Sequence, residues 1–309
     1  MSALINACQV SDLILNTGKE CDAAMGATAM LVAVPSTLVF SEADMADPVT
    51  WLKGLIHSAK TTRAYPFFGN KAPIRTITNN KESDVLVTLD DGSTVFLRYG
   101  FFNRVFETTS GGICYAKALQ SLNKSGYSIL EIDKQGQMLV HANADGTYSG
   151  LITDFMYSPS PMLADFKSTP YKNQFQISYS PDEYVQNGLI LGKNTALLNL
   201  MGLIDCEITQ KAVPSVTKIT IGVQTDCANT DLIALIGAPM ATASNYIVTN
   251  KLTDIAVVAT AAIVSGKVEL SGTFVTATKY IVSGAAPSVL FTNGVIGYDF
   301  SKSLEVTIP

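Results

Sequence analysis

Short runs in which apolar and polar residues alternate, closed by turns rich in Gly, Asp or Pro, recur along most of this sequence. They restrict the fold more than any other feature. Alternation at period two puts one face of an extended segment in a core and the other in solvent, whereas a helix needs apolar residues three and four apart. Phe175, Ile177 and Tyr179 alternate in one segment. Ile219, Ile221 and Val223 alternate with Thr220, Gly222 and Gln224 in another. The chain is therefore expected to be mainly β, with a minority of helix (α+β).

A length of 309 residues suggests two domains, at roughly 100–200 residues each. A core domain is expected over 1–211. In it, Thr28 to Val34 reads as a buried strand ended by Pro35. A helix near 48–60 follows: Asp47 is an N-cap, Pro48 suits the first turn, and Leu52, Leu55, Ile56 and Ala59 share a face. Thr61 to Lys71 reads as a loop. Asp84 to Leu89 and Thr94 to Arg98 flank Asp90-Asp91-Gly92-Ser93, a strong hairpin signal. Arg104 to Thr108 can add a strand. A second helix near 112–122 starts after Gly111-Gly112, with Ile113, Ala116, Leu119 and Leu122 as its apolar face. Tyr127 to Ile132 and Gln137 to His141 form another hairpin around Lys134-Gln135-Gly136, and Tyr148 to Tyr157 is the next strand. Pro181-Asp182 caps a short turn, Leu198 to Leu203 fits helix or strand, and Asp205 to Gln210 closes the domain.

The sequence changes character at Val213-Pro214. Val, Thr, Ala and Ser dominate, and the last arginine in the chain is Arg104. Strands are expected around Ile219 to Val223, Tyr246 to Thr249, Ile255 to Ile263, Lys267 to Leu270, Tyr280 to Val282 and Leu304 to Ile308, with turns at Ser265-Gly266 and Asn293-Gly294. Roughly seven short strands in about 100 residues is the pattern of an immunoglobulin-like β-sandwich, expected over 212–309. A Cys–Trp–Cys core is absent, which argues against an antibody-type domain.

Charged residues are only 15% of the chain and hydrophobic ones 47%, so the surface is one that other subunits could cover. The net charge is −5 and no basic block is present, which argues against tight nucleic-acid binding. Cys8, Cys21, Cys114, Cys206 and Cys227 form no C-x-x-C pair, and their odd number suggests free, mostly buried thiols of a reducing cytoplasm. Met1 to Asn16 has no basic start and carries Asp12 in its most apolar stretch, unlike a signal peptide. Ile255 to Val264 is about half the roughly 20 residues that cross a bilayer, so no membrane anchor is expected.

No catalytic chemistry stands out. The two histidines, His57 and His141, have no nucleophile motif beside them. Phosphate-binding glycine loops are missing. Asp90 and Asp91 lack the further ligands of a calcium loop, and no zinc spacing occurs. Glu82 with Asp84, and Asp182 with Glu183, lie in loop or strand-edge positions. The expectation is a non-enzyme with no catalytic, cofactor-binding or metal residues. Tyr65, Phe67 and Phe68 crowd one loop: they either cover the core edge or anchor a subunit interface, where aromatics are enriched. With Phe101 and Phe102 they make up the candidate self-assembly interface.

Four stretches carry a resemblance. They are Cys21-Asp-Ala-Ala-Met-Gly26, the Asp47-Pro48 helix with its aromatic loop, Gly111-Gly-Ile-Cys-Tyr-Ala-Lys-Ala-Leu-Gln-Ser-Leu-Asn123 leading into Tyr127 to Ile132, and Gly202-Leu-Ile-Asp-Cys206. In their order and spacing, residues 15 to 210 resemble the major tail tube proteins of tailed bacteriophages, in the form associated with phages of Bacteroidetes hosts. The resemblance implies a tail-tube-like β-sandwich or barrel with one or two flanking helices. It implies copies paired edge to edge into hexameric rings that stack into a DNA-conducting tube, with an appended Ig-like domain on the outside. The partners it implies are the chain itself, other phage tail proteins, and double-stranded DNA that passes without specific binding. Glycan or cell-surface contact would fall to the Ig-like domain. The implied location is the virion tail, after synthesis in the host cytoplasm. Six copies at −5 would carry about −30 per ring, a charge that repels phosphate. Other readings remain open at this level: a capsid or head-decoration protein, a surface adhesin module, and a carbohydrate-acting enzyme.

Overall fold

The structure, a computed structural model, describes residues 26–123, 126–164, 171–180, 183, 188–191 and 194–309. Met1 to Asn16, Cys21 to Met25 and the Pro181-Asp182 turn fall outside the described residues. The fold is mainly β. Two units are distinguishable: one holds the chain up to Ile56 together with Thr61–Met201, and the other holds His57–Lys60 with Gly202–Pro309.

The first unit comprises β1 (Thr28–Pro35), β2 (Val39–Phe40), α1 (Pro48–Ile56), β3 (Tyr65–Phe68), β4 (Thr76–Lys81), β5 (Val85–Thr88), β6 (Thr94–Arg98), β7 (Phe102–Thr108), α2 (Gly112–Gln120), β8 (Tyr127–Asp133), β9 (Met138–Ala142), β10 (Tyr148–Ser149), β11 (Thr153–Tyr157), β12 (Asn173–Tyr179) and β13 (Gly188–Leu191). One sheet runs β2-β10-β9-β8-β1-β3, with β13 also on β9. A second runs β11-β12-β7-β4, and β5-β6 form a separate two-stranded ribbon. Leu31, Ala33, Phe67 and Ile129 of the larger sheet meet Phe106, Phe175 and Ile177 of the smaller one, and α2 adds Leu119. Burying such side chains stabilises the fold by about 1.5–3 kcal/mol each.

A polar pin crosses this core. Glu131 on β8 is fully buried and pairs with Arg104 on β7. It also accepts hydrogen bonds from the Tyr179 hydroxyl at 2.6 Å and the Thr28 hydroxyl at 2.7 Å. Arg104 Nε donates to Asn79 Oδ1 at 2.9 Å. Such satisfaction is what a buried ion pair needs to offset its desolvation.

The register of the smaller sheet sorts its residues by face. Ile77, Phe106, Phe175, Ile177 and Met156 point to the core. The opposite face carries three cross-strand rows: Thr76–Glu107–Gln174, then Thr78–Val105–Gln176–Tyr157, then Asn80–Asn103–Ser178–Phe155.

Several expected elements move. The helix expected to 60 ends at Ile56, because the returning chain donates Ala64 N–H to the Leu55 carbonyl, and Ala59 lies exposed beyond it. Asp47 does cap it, accepting from Thr50 N–H at 3.1 Å. On α2, Ile113 is 60% exposed while Ala116, Leu119 and Leu122 are buried. Steps of three residues fall about 60° short of a full turn, so Ile113 has drifted off the face. Tyr65–Phe68 is a strand on β1, where a loop was expected. The strand expected over 148–157 splits at Gly150 into β10 and β11 of different sheets. There the chain crosses β8 so closely that a Cβ on Gly150 would lie 2.4 Å from Ser128 Oγ.

The second unit comprises β14 (Ile204–Gln210), β15 (Lys218–Thr225), α3 (Leu232–Ile236), β16 (Tyr246–Asn250), β17 (Ala256–Val257), β18 (Thr260–Val264), β19 (Lys267–Ser271), β20 (Lys279–Gly284), α4 (Pro287–Thr292), β21 (Tyr298–Lys302) and β22 (Leu304–Thr307). Its sheets run β18-β19-β15-β14-β21 and β17-β16-β20-β22. Ile219, Ile221, Val223, Leu270, Val248 and Val282 are among the residues that fill the space between them. The segment read as one strand over 255–263 divides, since β17 and β18 join opposite sheets. The boundary expected at 211/212 falls at 201/202. β14, read as the closing strand of the first domain, belongs to the second unit: it pairs antiparallel with β15 and parallel with β21, and buries Cys206 and Ile208 in that core.

Candidate functional site

Among the described residues, the β5–β6 ribbon is exposed along nearly its whole length. Its turn is set locally. Asp91 Oδ1 accepts from Ser93 N–H at 2.8 Å and from the Ser93 hydroxyl at 2.6 Å, and Gly92 takes φ +82. The Ser93 hydroxyl and N–H hold the Asp91 carboxyl below its ordinary range. At the base, Glu82 N–H donates to the Phe101 carbonyl at 2.9 Å. Asp84 accepts from Gly100 N–H at 3.0 Å and pairs with Lys81 at 3.2 Å; that hydrogen bond first, and Lys81 second, lower its pKa.

Between these fixed ends the strands are apolar on both faces. Leu86 faces Phe96, and Val87 faces Val95 across the ladder. Leu86 is 57%, Phe96 47% and Leu97 58% exposed. A lone two-stranded ribbon is marginal in water, and contiguous exposed apolar surface marks a contact site.

The smaller sheet presents a second candidate. Among the described residues, its outer strands β4 and β11 each pair with a strand on one side only. Phe155 and Tyr157 on β11 are exposed, as are Ile152 just before it and Leu163 beyond it. Unpaired edges with apolar flanks invite pairing with another chain.

Of the five aromatics expected at an interface, two are buried and three are half-buried. Phe67 and Phe68 are only 4% and 6% exposed, and their rings pack on Phe175 (4.6 Å) and Phe106 (6.2 Å). Phe68 N–H donates to the Tyr115 hydroxyl at 2.8 Å, whose pKa burial raises. Tyr65, Phe101 and Phe102 are half-buried, Tyr65 edge-on to Tyr127 and Phe102 stacked on Tyr179. Phe67 and Phe68 thus belong to the subunit's own core and have no surface left for a partner. The residues that do offer surface, Leu86, Phe96 and Leu97, carried a sequence signal. Val85-Leu86-Val87 and Val95-Phe96-Leu97 are unbroken apolar runs, which need cover on both faces.

Of the groups weighed for chemistry, His141, Glu183 and Asp84 have structural partners. His141 Nδ1 lies 2.7 Å from Glu183 Oε1, which also accepts from Ile152 N–H at 2.8 Å. His57 sits just past α1. Asp84 serves the ribbon base, and Asp182 lies outside the described residues. Cys206 is a free, buried thiol, pushed up to about 12 by burial and by the charges of Asp205 and Asp299. Cys114 is engaged in a disulfide, and so is Cys227, against the expectation of free thiols; Cys8 and Cys21 lie outside the described residues. Among the described residues no group of three or more His, Cys, Asp or Glu could hold a metal ion, and no helix is long and apolar enough to cross a membrane.

No family model matches the chain, and no curated protein matches it.

Proposed function

We propose that this chain is a non-enzymatic, self-assembling virion protein, the tail tube subunit of a tailed bacteriophage, whose rings stack into a DNA-conducting tube. The observation that carries the reading is the β5–β6 ribbon: Leu86, Phe96 and Leu97 are exposed on an element too small to be stable alone. A neighbouring copy that covers the ribbon removes this surface from water. The β4 and β11 edges support the same reading, since head-to-tail pairing of two different edges closes into a ring. The tail context comes from the resemblance over residues 15 to 210.

The second unit is read as the Ig-like decoration. In chain order β14, β15, β16, β17, β18, β19, β20 and β22 take the places of strands A, B, C, C′, D, E, F and G. The sheets then run D-E-B-A, with β21 added beyond A, and C′-C-F-G, an order that supports the Ig-like reading.

Electron microscopy and light scattering of the purified protein test the proposal. Rings or tubes are expected, and Phe96→Ser with Leu97→Ser should lower assembly while leaving the unfolding midpoint of the subunit in place. A chain that stays monomeric at high concentration overturns it.

A further inference from the structure

We infer that a cleft in the first unit, where β8 and β10 part beside β9, is a binding site for a small neutral polyhydroxylated ligand of the monosaccharide class. The inference does not rest on self-assembly, and the site is separate from any glycan contact of the second unit.

Strand pairing makes the cleft. β13 lies along one edge of β9, so β8 and β10 share the other. β8 takes that edge at Met138 and Leu139, and β10 takes it at His141 and Ala142. Past the changeover the Ile129–Leu151 bridge ties β8 to the chain that leaves β10. The start of β8 and the strand β10 then leave a cleft of about 390 Å³ between them, with Ser36 and Val39 beside it. That volume falls within the roughly 300–1,000 Å³ of small-molecule sites. Gly126 and Gly150 line it without putting a side chain into it.

The lining selects the ligand. Among the described residues that line the cleft, none is acidic, basic or a histidine, so an ionic ligand finds no counter-charge. Hydroxyls and an amide with unused hydrogen-bonding capacity converge instead. Ser128 and Ser149 are 3% and 9% exposed, and the Ser128 hydroxyl is buried without a partner, which is uncommon for a buried polar atom. Asn143 donates its side-chain N–H to Thr147 Oγ1 at 3.0 Å, which leaves its Oδ1 to accept. The frame is set before a ligand arrives: Ser36 N–H donates to the Gly126 carbonyl at 2.8 Å, and the Thr153 hydroxyl donates to the Tyr127 carbonyl at 3.1 Å. The lips are apolar, with Val39 56% and Ile152 49% exposed and Tyr127 half-buried. A ring sugar carries the matching surfaces, C–H groups on its faces and hydroxyls that donate and accept around its edge. An apolar ring of the same size would leave the serines and Asn143 unpaired on binding.

Isothermal titration of the full chain with methyl glucoside, methyl galactoside and N-acetylglucosamine, beside cyclohexanol, tests this. At least one sugar should bind with a dissociation constant on the order of 1 mM, as the few contacts of one ring allow. Cyclohexanol should bind about tenfold more weakly or not at all. Ser149→Ala removes one hydroxyl, and Ser36→Trp plugs the exposed mouth. Each should weaken sugar binding about tenfold with the unfolding midpoint unchanged, while Val213→Trp in the second unit binds as wild type does. If none of the three sugars binds, the site assignment fails. Equal binding of cyclohexanol overturns the recognition of hydroxyls. Sugar binding that both Ser149→Ala and Ser36→Trp leave intact lies elsewhere and overturns the cleft. None of these outcomes bears on whether rings or tubes form.

Discussion

The β5–β6 and β8–β9 hairpins both turn on an aspartate followed by a glycine with positive φ. Asp91 accepts from Ser93 across Gly92 (φ +82), and Asp133 accepts from Gln135 and Gln137 N–H around Gly136 (φ +79). Beyond the turn they diverge. Ile129, Leu130 and Ile132 of β8 are fully buried, whereas β6 is exposed along its length. β8 lies between β1 and β9, while among the described residues β5 and β6 pair only with each other. Equal turn chemistry therefore makes two hairpins, and the neighbours decide which becomes core and which remains open surface.

The largest effect should come from the buried hairpin. Glu131→Ala leaves Arg104 without its carboxylate in the core and should cost about 3–5 kcal/mol, read from chemical denaturation. Phe96→Ser on the open ribbon should stay within about 0.5 kcal/mol in the monomer. Equal losses at the two sites would erase the contrast.

Next come the two turns. A Cβ on Gly136 would lie 2.3 Å from the Asn194 carbonyl carbon, but one on Gly92 meets nothing within 4 Å. Gly92→Ala should cost about 1 kcal/mol, the left-handed strain alone, and Gly136→Ala clearly more. A Gly136→Ala protein as stable as Gly92→Ala would mean that the close approach to Asn194 yields easily.

The smallest effect is the acid dependence of the open turn. Because the folded Asp91 carboxyl is held low, its stabilisation is fully present above the unfolded value of about 3.9 and fades as pH falls through the folded one. Asp91→Asn should flatten this acid limb. A carboxyl titration by NMR that finds Asp91 at or above 3.9 would contradict it.

Much of the fold was legible where local chemistry and burial agree. The Asp47 cap and the Gly92 and Gly136 turns appear as expected, and Ile219, Ile221 and Val223 do lie on a strand, though it is buried on both faces where a half-buried one was expected. The smaller strands were less legible. β4, with the polar sequence Thr-Ile-Thr-Asn-Asn-Lys, is held by its ladder to β7 and not by propensity. Likewise β21 exists because β14 offers it a parallel partner. The candidate site was half legible: the ribbon could be read, but its isolation could not, and the aromatic loop drew attention that the core then claimed.

By itself the sequence determined the β class, the principal turns and the absence of a basic block, because period, φ preference and charge clustering are properties of short stretches. Only the tertiary structure decided that Ile204–Gln210 joins the second unit, that Phe67 and Phe68 face inward, and that Leu86 and Phe96 lie uncovered. Those outcomes depend on which distant strand wins each unpaired edge, and that competition is settled by packing across the whole unit.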